Sequence, residues 1–304
     1  MKALENIPQL LQIRGSLLCV YNDFSYLNIN KRYNENSRIN LSNRNDKKGF
    51  SKKAIKTLSS YLQIWYNCVD AHVQHSRNYK KEFNRYMTFV TLTLSSQQTH
   101  TDKEIKRQCF DRFITYSKRK FGLSTYVWCC EPQENGNIHF HIVFDRFVDH
   151  SSLRSLWNDC QNVLGYVDKF KEKHGHDNPN STDIHSLRKI NYIDRYLCKY
   201  MSKNECRRSI DGALWGCSDN LKDLKPFRCE IGIQEGVLLD KLLLKSNIRK
   251  KDSDWFYLFC NVKLSDINDI SADLYNYVTN YYNDCFHQLY DTESIKKIKN
   301  ELGI

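Results

Sequence analysis

A chain of 304 residues, with 40% apolar and 27% charged side chains, has the size and balance of one large domain or of a catalytic domain with additions on both sides. No run approaches the ~18 consecutive apolar residues of a membrane helix, and Gln9, Gln12 and Arg14 interrupt the apolar stretch 7–20, a poor signal peptide, so a cytoplasmic protein with no membrane partner is expected. The net charge of +11 attracts polyanions, of which a phosphate backbone is the commonest, while twelve cysteines without a Cys-x-x-Cys pair argue against a zinc ribbon and read as buried or free thiols.

The polar segment Asn28–Lys53 reads as a long loop or linker. Ser51 can cap a helix running to about His75, in which Ile55, Leu58, Leu62, Trp65, Val69 and Val73 recur at helical spacing. Tyr86–Leu94 alternates and is β-branched, which predicts a strand. Thr101–Phe121 predicts a helix with Ile105, Phe110, Phe113 and Ile114 on one side. Ser124–Pro132 and Asn137–Phe144 predict a hairpin around Asn135-Gly136. A helix over Ser152–Leu164, a polar loop over His174–Thr182, a short strand over Asp183–Arg188 and a helix over Ile190–Lys203 follow.

This order predicts an α+β fold, a mainly antiparallel sheet with helices on one face. Further on, Phe227–Ile233 and Trp255–Leu264 look like strands and Ile267–Tyr290 like one long helix. The expected division is an N-terminal extension over 1–80, a central domain over 81–235 and a C-terminal extension over 236–304.

Three motifs carry chemistry. The second hairpin strand contains His139-Phe140-His141, and strand alternation points both imidazoles to one face. Two histidines so placed can share a metal ion, and alone they equally describe two surface or hydrogen-bonded histidines. Glu131 lies on the partner strand. A two-residue turn at Asn135-Gly136 would bring residue 132 opposite 139 and aim Glu131 away. A three-residue loop Glu134-Asn135-Gly136 would bring Glu131 opposite His139, with glycine in the left-handed position such a loop requires. The sequence permits this second register. One carboxylate and two imidazoles with open positions suit Mn²⁺, Mg²⁺ or a related divalent ion better than structural zinc.

The third motif is Tyr192-Ile-Asp-Arg195-Tyr196-Leu-Cys-Lys199-Tyr200-Met-Ser-Lys203. On a helix Tyr192, Tyr196 and Tyr200 share one face, with Lys199 and Lys203 beside it. An amphipathic helix sealing a core with tyrosines would look similar, but here lysines adjoin the hydroxyls. Arg188, Arg195 and Lys203 are candidate DNA contacts. The 19 Tyr, 15 Phe and 5 Trp would suit stacking of unpaired bases as well as an ordinary core.

Together these motifs resemble the HUH endonucleases, and among them the rolling-circle replication initiators of bacterial single-stranded DNA phages and plasmids. The resemblance covers about residues 51–235. It rests on Phe89-Val-Thr-Leu-Thr-Leu94, on Glu131 before His139-Phe140-His141, on Tyr196-Leu-Cys-Lys199-Tyr200, and on Trp215-Gly-Cys-Ser218. It implies a ferredoxin-like or RRM-like sheet, with residues 81–235 as the nuclease domain. Glu131, His139 and His141 would hold the metal. Tyr196 would be the nucleophile, Lys199 would stabilise developing charge, and Tyr200 is the candidate for a second transesterification. Asp183 and His185 are conceivable neighbours of the metal. The implied substrate is single-stranded origin DNA and the product a 5′-phosphotyrosine with a free 3′-hydroxyl. A host helicase and DNA polymerase would be partners, since no Gly-x-x-x-x-Gly-Lys-Ser/Thr occurs. The same motifs also occur in conjugative or mobilisation relaxases and in HUH transposases. A non-catalytic binder of single-stranded nucleic acid on an RRM-like sheet is the rival from another class.

Overall fold

The computed structural model describes residues 8–23, 50–185, 208–253 and 256–290. In chain order the elements begin with β1 (Gln9–Arg14), β2 (Leu17–Asn22), α1 (Lys52–Val73), α2 (Tyr79–Tyr86) and β3 (Thr88–Thr93). A helical run follows, made of α3 (Asp102–Ile105), a π-helical turn (Lys106–Phe110) and α4 (Asp111–Phe121). Then come β4 (Tyr126–Pro132), β5 (Ile138–Phe144), α5 (His150–Asn162), α6 (Tyr166–His174) and β6 (Thr182–His185). The last elements are β7 (Trp215–Cys217), β8 (Phe227–Ile231), α7 (Ile233–Asp240), β9 (Arg249–Asp252), β10 (Phe256–Cys260), α8 (Leu264–Asn268) and α9 (Ala272–Tyr290).

The fold is α+β, with two antiparallel five-stranded sheets among the described residues, ordered β8-β1-β2-β10-β9 and β6-β3-β5-β4-β7. The chain divides into two compact units. One comprises Met1–Lys47, Gln63–His72 and Leu224–Cys285, the other Lys48–Leu62, Val73–Asp223 and Phe286–Ile304.

The second unit holds the sheet built on β3 and the β4–β5 hairpin. One face of that sheet carries Val90, Leu92, Cys130, Phe140, Ile142 and Phe144, buried with Phe110, Phe113, Trp157 and Tyr166 of the helices. Phe110 stacks on Phe140 with ring centres 4.3 Å apart, and Phe113 meets Trp157 edge-on at 5.6 Å. Burial on this face leaves the alternate side chains of β3, β4 and β5 to line the other one.

The first unit interleaves strands from opposite ends of the chain. β1 and β2 join through the two-residue turn Gly15-Ser16, then pair with β8 on one side and β10 on the other. Leu11, Ile13, Leu18, Val20, Phe227 and Phe259 are buried on one face. Tyr282 of α9 seals that face: its hydroxyl donates to Ile13 O and accepts from Phe227 N.

Several expectations need correction. β1 and β2 are strands that the sequence did not mark. Tyr86 closes α2 instead of opening β3, which starts at Thr88. The helix over Thr101–Phe121 contains a π turn. The stretch before the loop beginning at His174 is a further helix, α6, bounded by Gly165 and Gly175. The long helix over Ile267–Tyr290 is two elements, α8 and α9. Ser51 does cap α1, accepting from Ala54 N at 3.1 Å. Most of the linker Asn28–Lys53 and all of the helix Ile190–Lys203 lie outside the described residues. No described helix is long and apolar enough to cross a membrane.

Candidate metal centre

The hairpin register decides the site. Gly136 N donates to Gln133 O at 2.9 Å, and Gln133 N donates to Asn137 O at 2.8 Å, which closes a three-residue loop Glu134-Asn135-Gly136. Gly136 has φ +84°, the left-handed geometry glycine adopts without penalty. Glu131 therefore stands opposite His139, and Cys129 opposite His141. A loop one residue shorter would have turned the carboxylate to the other face.

Glu131, His139 and His141 share the face away from Phe140, and their ligand atoms all lie within 4.8 Å of one another. Glu131 Oε1 is 3.1 Å from His141 Nε2, and the two imidazole centres are 4.5 Å apart. Two donors about 2.1 Å from one ion and at right angles lie about 3.0 Å apart, so this spacing fits the cis edge of a coordination shell. The glutamate side chain is 13% exposed and that of His141 only 2%, so a ligand reaches the site from the carboxylate side.

The ring of His141 is fixed from behind. Thr91, its cross-strand neighbour on β3, places Oγ1 3.4 Å from Nδ1, and Phe89 stacks on the ring with centres 5.7 Å apart. With Nδ1–H donating to the threonine hydroxyl, Nε2 keeps its lone pair for an ion. The alternation that makes Phe89-Val-Thr-Leu-Thr a strand could have pointed to Thr91, because 89, 91 and 93 face the same way as 139 and 141. On β6, Asp183 pairs with Thr91 and His185 with Phe89 in the backbone register.

A second cluster, built around Arg208, has no counterpart in the sequence reading. Arg208 contacts Asp102 through Nη1 at 2.7 Å and Nη2 at 2.8 Å, and its Nε donates to Gly136 O at 2.6 Å. Gln98 completes the cluster: its Oε1 accepts from Ile138 N at 2.7 Å and its Nε2 donates to Asp102 Oδ1 at 2.9 Å. Burial pushes the Asp102 carboxyl up, but hydrogen bonds from Arg208, Gln98 and Asp211 N outweigh it and hold the pKa below the usual carboxylate value. Lys106, at the start of the π turn, donates to Asp211 O and Ala213 O at 2.6 and 2.7 Å. The chain from 208 to 214 is thus fastened between the hairpin tip and the helical run, then continues into β7 at the edge of β4. There Gly216 lets Trp128 pack directly on the backbone, since a Cβ would meet the indole Nε1 at 2.7 Å.

Tyr196, Lys199, Tyr200, Arg188, Arg195 and Lys203 lie outside the described residues, between His185 of β6 and Arg208. None of the ten cysteines among the described residues is in a disulfide. Burial pushes the Cys109, Cys130 and Cys160 thiols up to about 12, so these are packing groups and not ready nucleophiles.

A search among curated proteins and among solved structures finds no match to the chain. Residues 87–205 match a family model for the replication-associated protein ORF2. The matched stretch runs from the start of β3 through the hairpin bearing Glu131, His139 and His141, and on past Tyr196, Lys199 and Tyr200. Over this stretch the chain is similar to replication-associated proteins, which ties the candidate metal cluster to a role in DNA replication.

Proposed function

We propose that this protein is a rolling-circle replication initiator of the HUH type: an endonuclease that nicks single-stranded origin DNA by tyrosine transesterification and stays joined to the cut strand. The reading rests on one observation, the convergence of Glu131, His139 and His141 on one sheet face within the stretch that matches a replication-associated family.

A divalent ion such as Mn²⁺ or Mg²⁺, held by these three side chains, would polarise the scissile phosphate and hold it in line. The Tyr196 phenol supplies the nucleophile. Its oxygen bonds to phosphorus, the bond from phosphorus to the 3′-oxygen breaks, the phenolic proton leaves to solvent and the 3′-oxygen takes up a proton. Free tyrosine titrates near pH ~10, so Lys199 is assigned to stabilise the phenolate or the charge gathering on the phosphate. The phosphotyrosine conserves the bond energy, and a later 3′-hydroxyl can rejoin the strand. Tyr200 is positioned in sequence for that second transfer. Arg188, Arg195 and Lys203 supply phosphate contacts. A host helicase and DNA polymerase would unwind and extend, in the cytoplasm of a bacterial host.

The test is incubation with a library of single-stranded DNA and Mn²⁺, followed by mass spectrometry of peptide–nucleotide adducts. An adduct on the peptide bearing Tyr196 is expected. A normal adduct yield from Tyr196→Phe would remove that residue from the role. Chelation should stop nicking and leave binding by the basic side chains; nicking that survives EDTA would end the metal assignment.

A further inference from the structure

The sheet of the first unit has a second face, opposite Tyr282, that the endonuclease reading does not use. Strand pairing sets out what stands on it. One row runs Leu10, Tyr21, Phe256, with Tyr21 and Phe256 directly opposite each other. The next row runs Arg228, Gln12, Cys19, Leu258, Lys251, and the third Arg14, Leu17, Cys260, Arg249. On β1, β2 and β8, every described residue with this orientation is half-buried or exposed, in contrast to the buried alternate set. Phe256 is 42% exposed, costly for an aromatic ring at the middle of a sheet unless something stacks on it.

The charge on this face is one-sided. Arg14, Arg228, Arg249 and Lys251 are basic, and Glu230, beside Leu10, is the acidic residue in these rows. Arg228 stands on one edge strand, Arg249 and Lys251 on the other, so cations flank an apolar and aromatic centre. Five strands at roughly 4.8 Å spacing make this platform about 19 Å wide. Exposed aromatics between basic borders suit a strand whose bases are unpaired, because bases can stack flat while phosphates run along the cations. Duplex DNA keeps its base faces hidden and offers nothing to Tyr21 or Phe256.

We propose that this face of the β8-β1-β2-β10-β9 sheet binds single-stranded DNA, with Tyr21 and Phe256 stacking on bases and Arg14, Arg228, Arg249 and Lys251 contacting phosphates. It is a surface separate in sequence from the family-matched stretch, and it does not depend on the metal cluster or the tyrosine motif.

The experiment uses the full chain in EDTA with a fluorescent oligothymidylate of about twenty nucleotides, read by anisotropy. Tyr21→Ala combined with Phe256→Ala should weaken binding about thirty-fold or more, the loss of two stacked bases. Phe256→Trp should keep the affinity or raise it. Arg249→Ala with Lys251→Ala should lower the slope of log affinity against log salt by about 1.4, two phosphate contacts on a single strand. Photo-crosslinking with iodouridine should label the peptides containing Tyr21 or Phe256. The proposal is overturned if the double alanine variant binds as wild type, if Phe256→Trp weakens binding as much as alanine does, if duplex or the matching RNA binds as tightly as the oligothymidylate, or if crosslinks fall only within residues 73–223. Because no cleavage is scored and no metal is present, these outcomes leave the endonuclease reading to its own adduct test.

Discussion

Arg208 grips Asp102 through two parallel contacts of 2.7 and 2.8 Å, and with its remaining nitrogen holds the carbonyl of Gly136 at the tip of the hairpin that carries the metal cluster. A planar fork is needed for all three bonds at once, and lysine cannot reproduce it. Arg208→Lys should therefore destabilise nearly as much as Arg208→Ala. About 2 kcal/mol is expected from leaving the largely buried carboxylate short of partners. Urea denaturation checks the size. Mn²⁺ titration of the same variants checks the consequence, a weaker affinity as the hairpin tip loosens. An unchanged midpoint in the lysine variant would mean the clamp contributes only charge.

The acid limb of stability should report on the same carboxylate. Because the folded-state pKa of Asp102 lies below its ordinary 3.8, the stability it contributes is fully present above that ordinary value and is lost as pH falls through the lowered one. Wild type and Asp102→Asn should differ by a constant amount from neutral pH down to about pH 5, and converge below about pH 4. Denaturation midpoints across this range test it; a gap that widened on acidification would reverse the sign.

Thr91 should matter to metal affinity through His141 alone. Thr91→Val removes the hydroxyl facing Nδ1 at nearly constant volume, and Mn²⁺ affinity should fall by about ten-fold or more. Thr91→Ser, which keeps the hydroxyl, should restore most of it. Glu131→Gln and His141→Ala should abolish measurable binding. Calorimetric titration separates these cases, and a valine variant with wild-type affinity would leave Phe89 as the group that orients the ring.

Two glycines should differ in cost for a stated reason. Gly136→Ala meets open space and pays only for the left-handed backbone, about 1–2 kcal/mol. Gly216→Ala drives a methyl into the Trp128 indole, which is itself packed on Phe110 at 4.9 Å, and should cost about 1–3 kcal/mol with a shift of the tryptophan ring. Thermal melting ranks the two, and tryptophan fluorescence should change in the second and not the first.

What the sequence discloses follows from how local each signal is. The register that sets Glu131 opposite His139 is written into the hairpin itself, because Asn135-Gly136 and the alternation on both strands lie within fifteen residues. The α1 cap at Ser51 and the core stripe on Phe110 and Phe113 are equally local. β1 and β2 are not, since their half-polar outer face, with Gln12 and Arg14, breaks the apolar pattern, and their partners β8 and β10 come from the far end of the chain. The π turn and the break between α8 and α9 are adjustments within a helical period that spacing alone does not reveal. Arg208 is invisible for a related reason: its partners Asp102, Gln98 and Gly136 are each more than seventy residues away.

The placing of β1 and β2 in the middle of their sheet has a consequence for how the protein is made. On the ribosome this hairpin emerges early with both flanks unsatisfied, and the strands that cover it, β8 and β10, are translated about two hundred residues later. At a synthesis rate of about 5–20 residues per second the wait is on the order of 10–40 seconds. During that interval the nascent hairpin can pair with any other exposed strand, including its twin on a neighbouring polysome. Slower elongation or higher temperature should therefore lower the soluble yield through this N-terminal ribbon, long before the domain bearing the metal cluster is at risk.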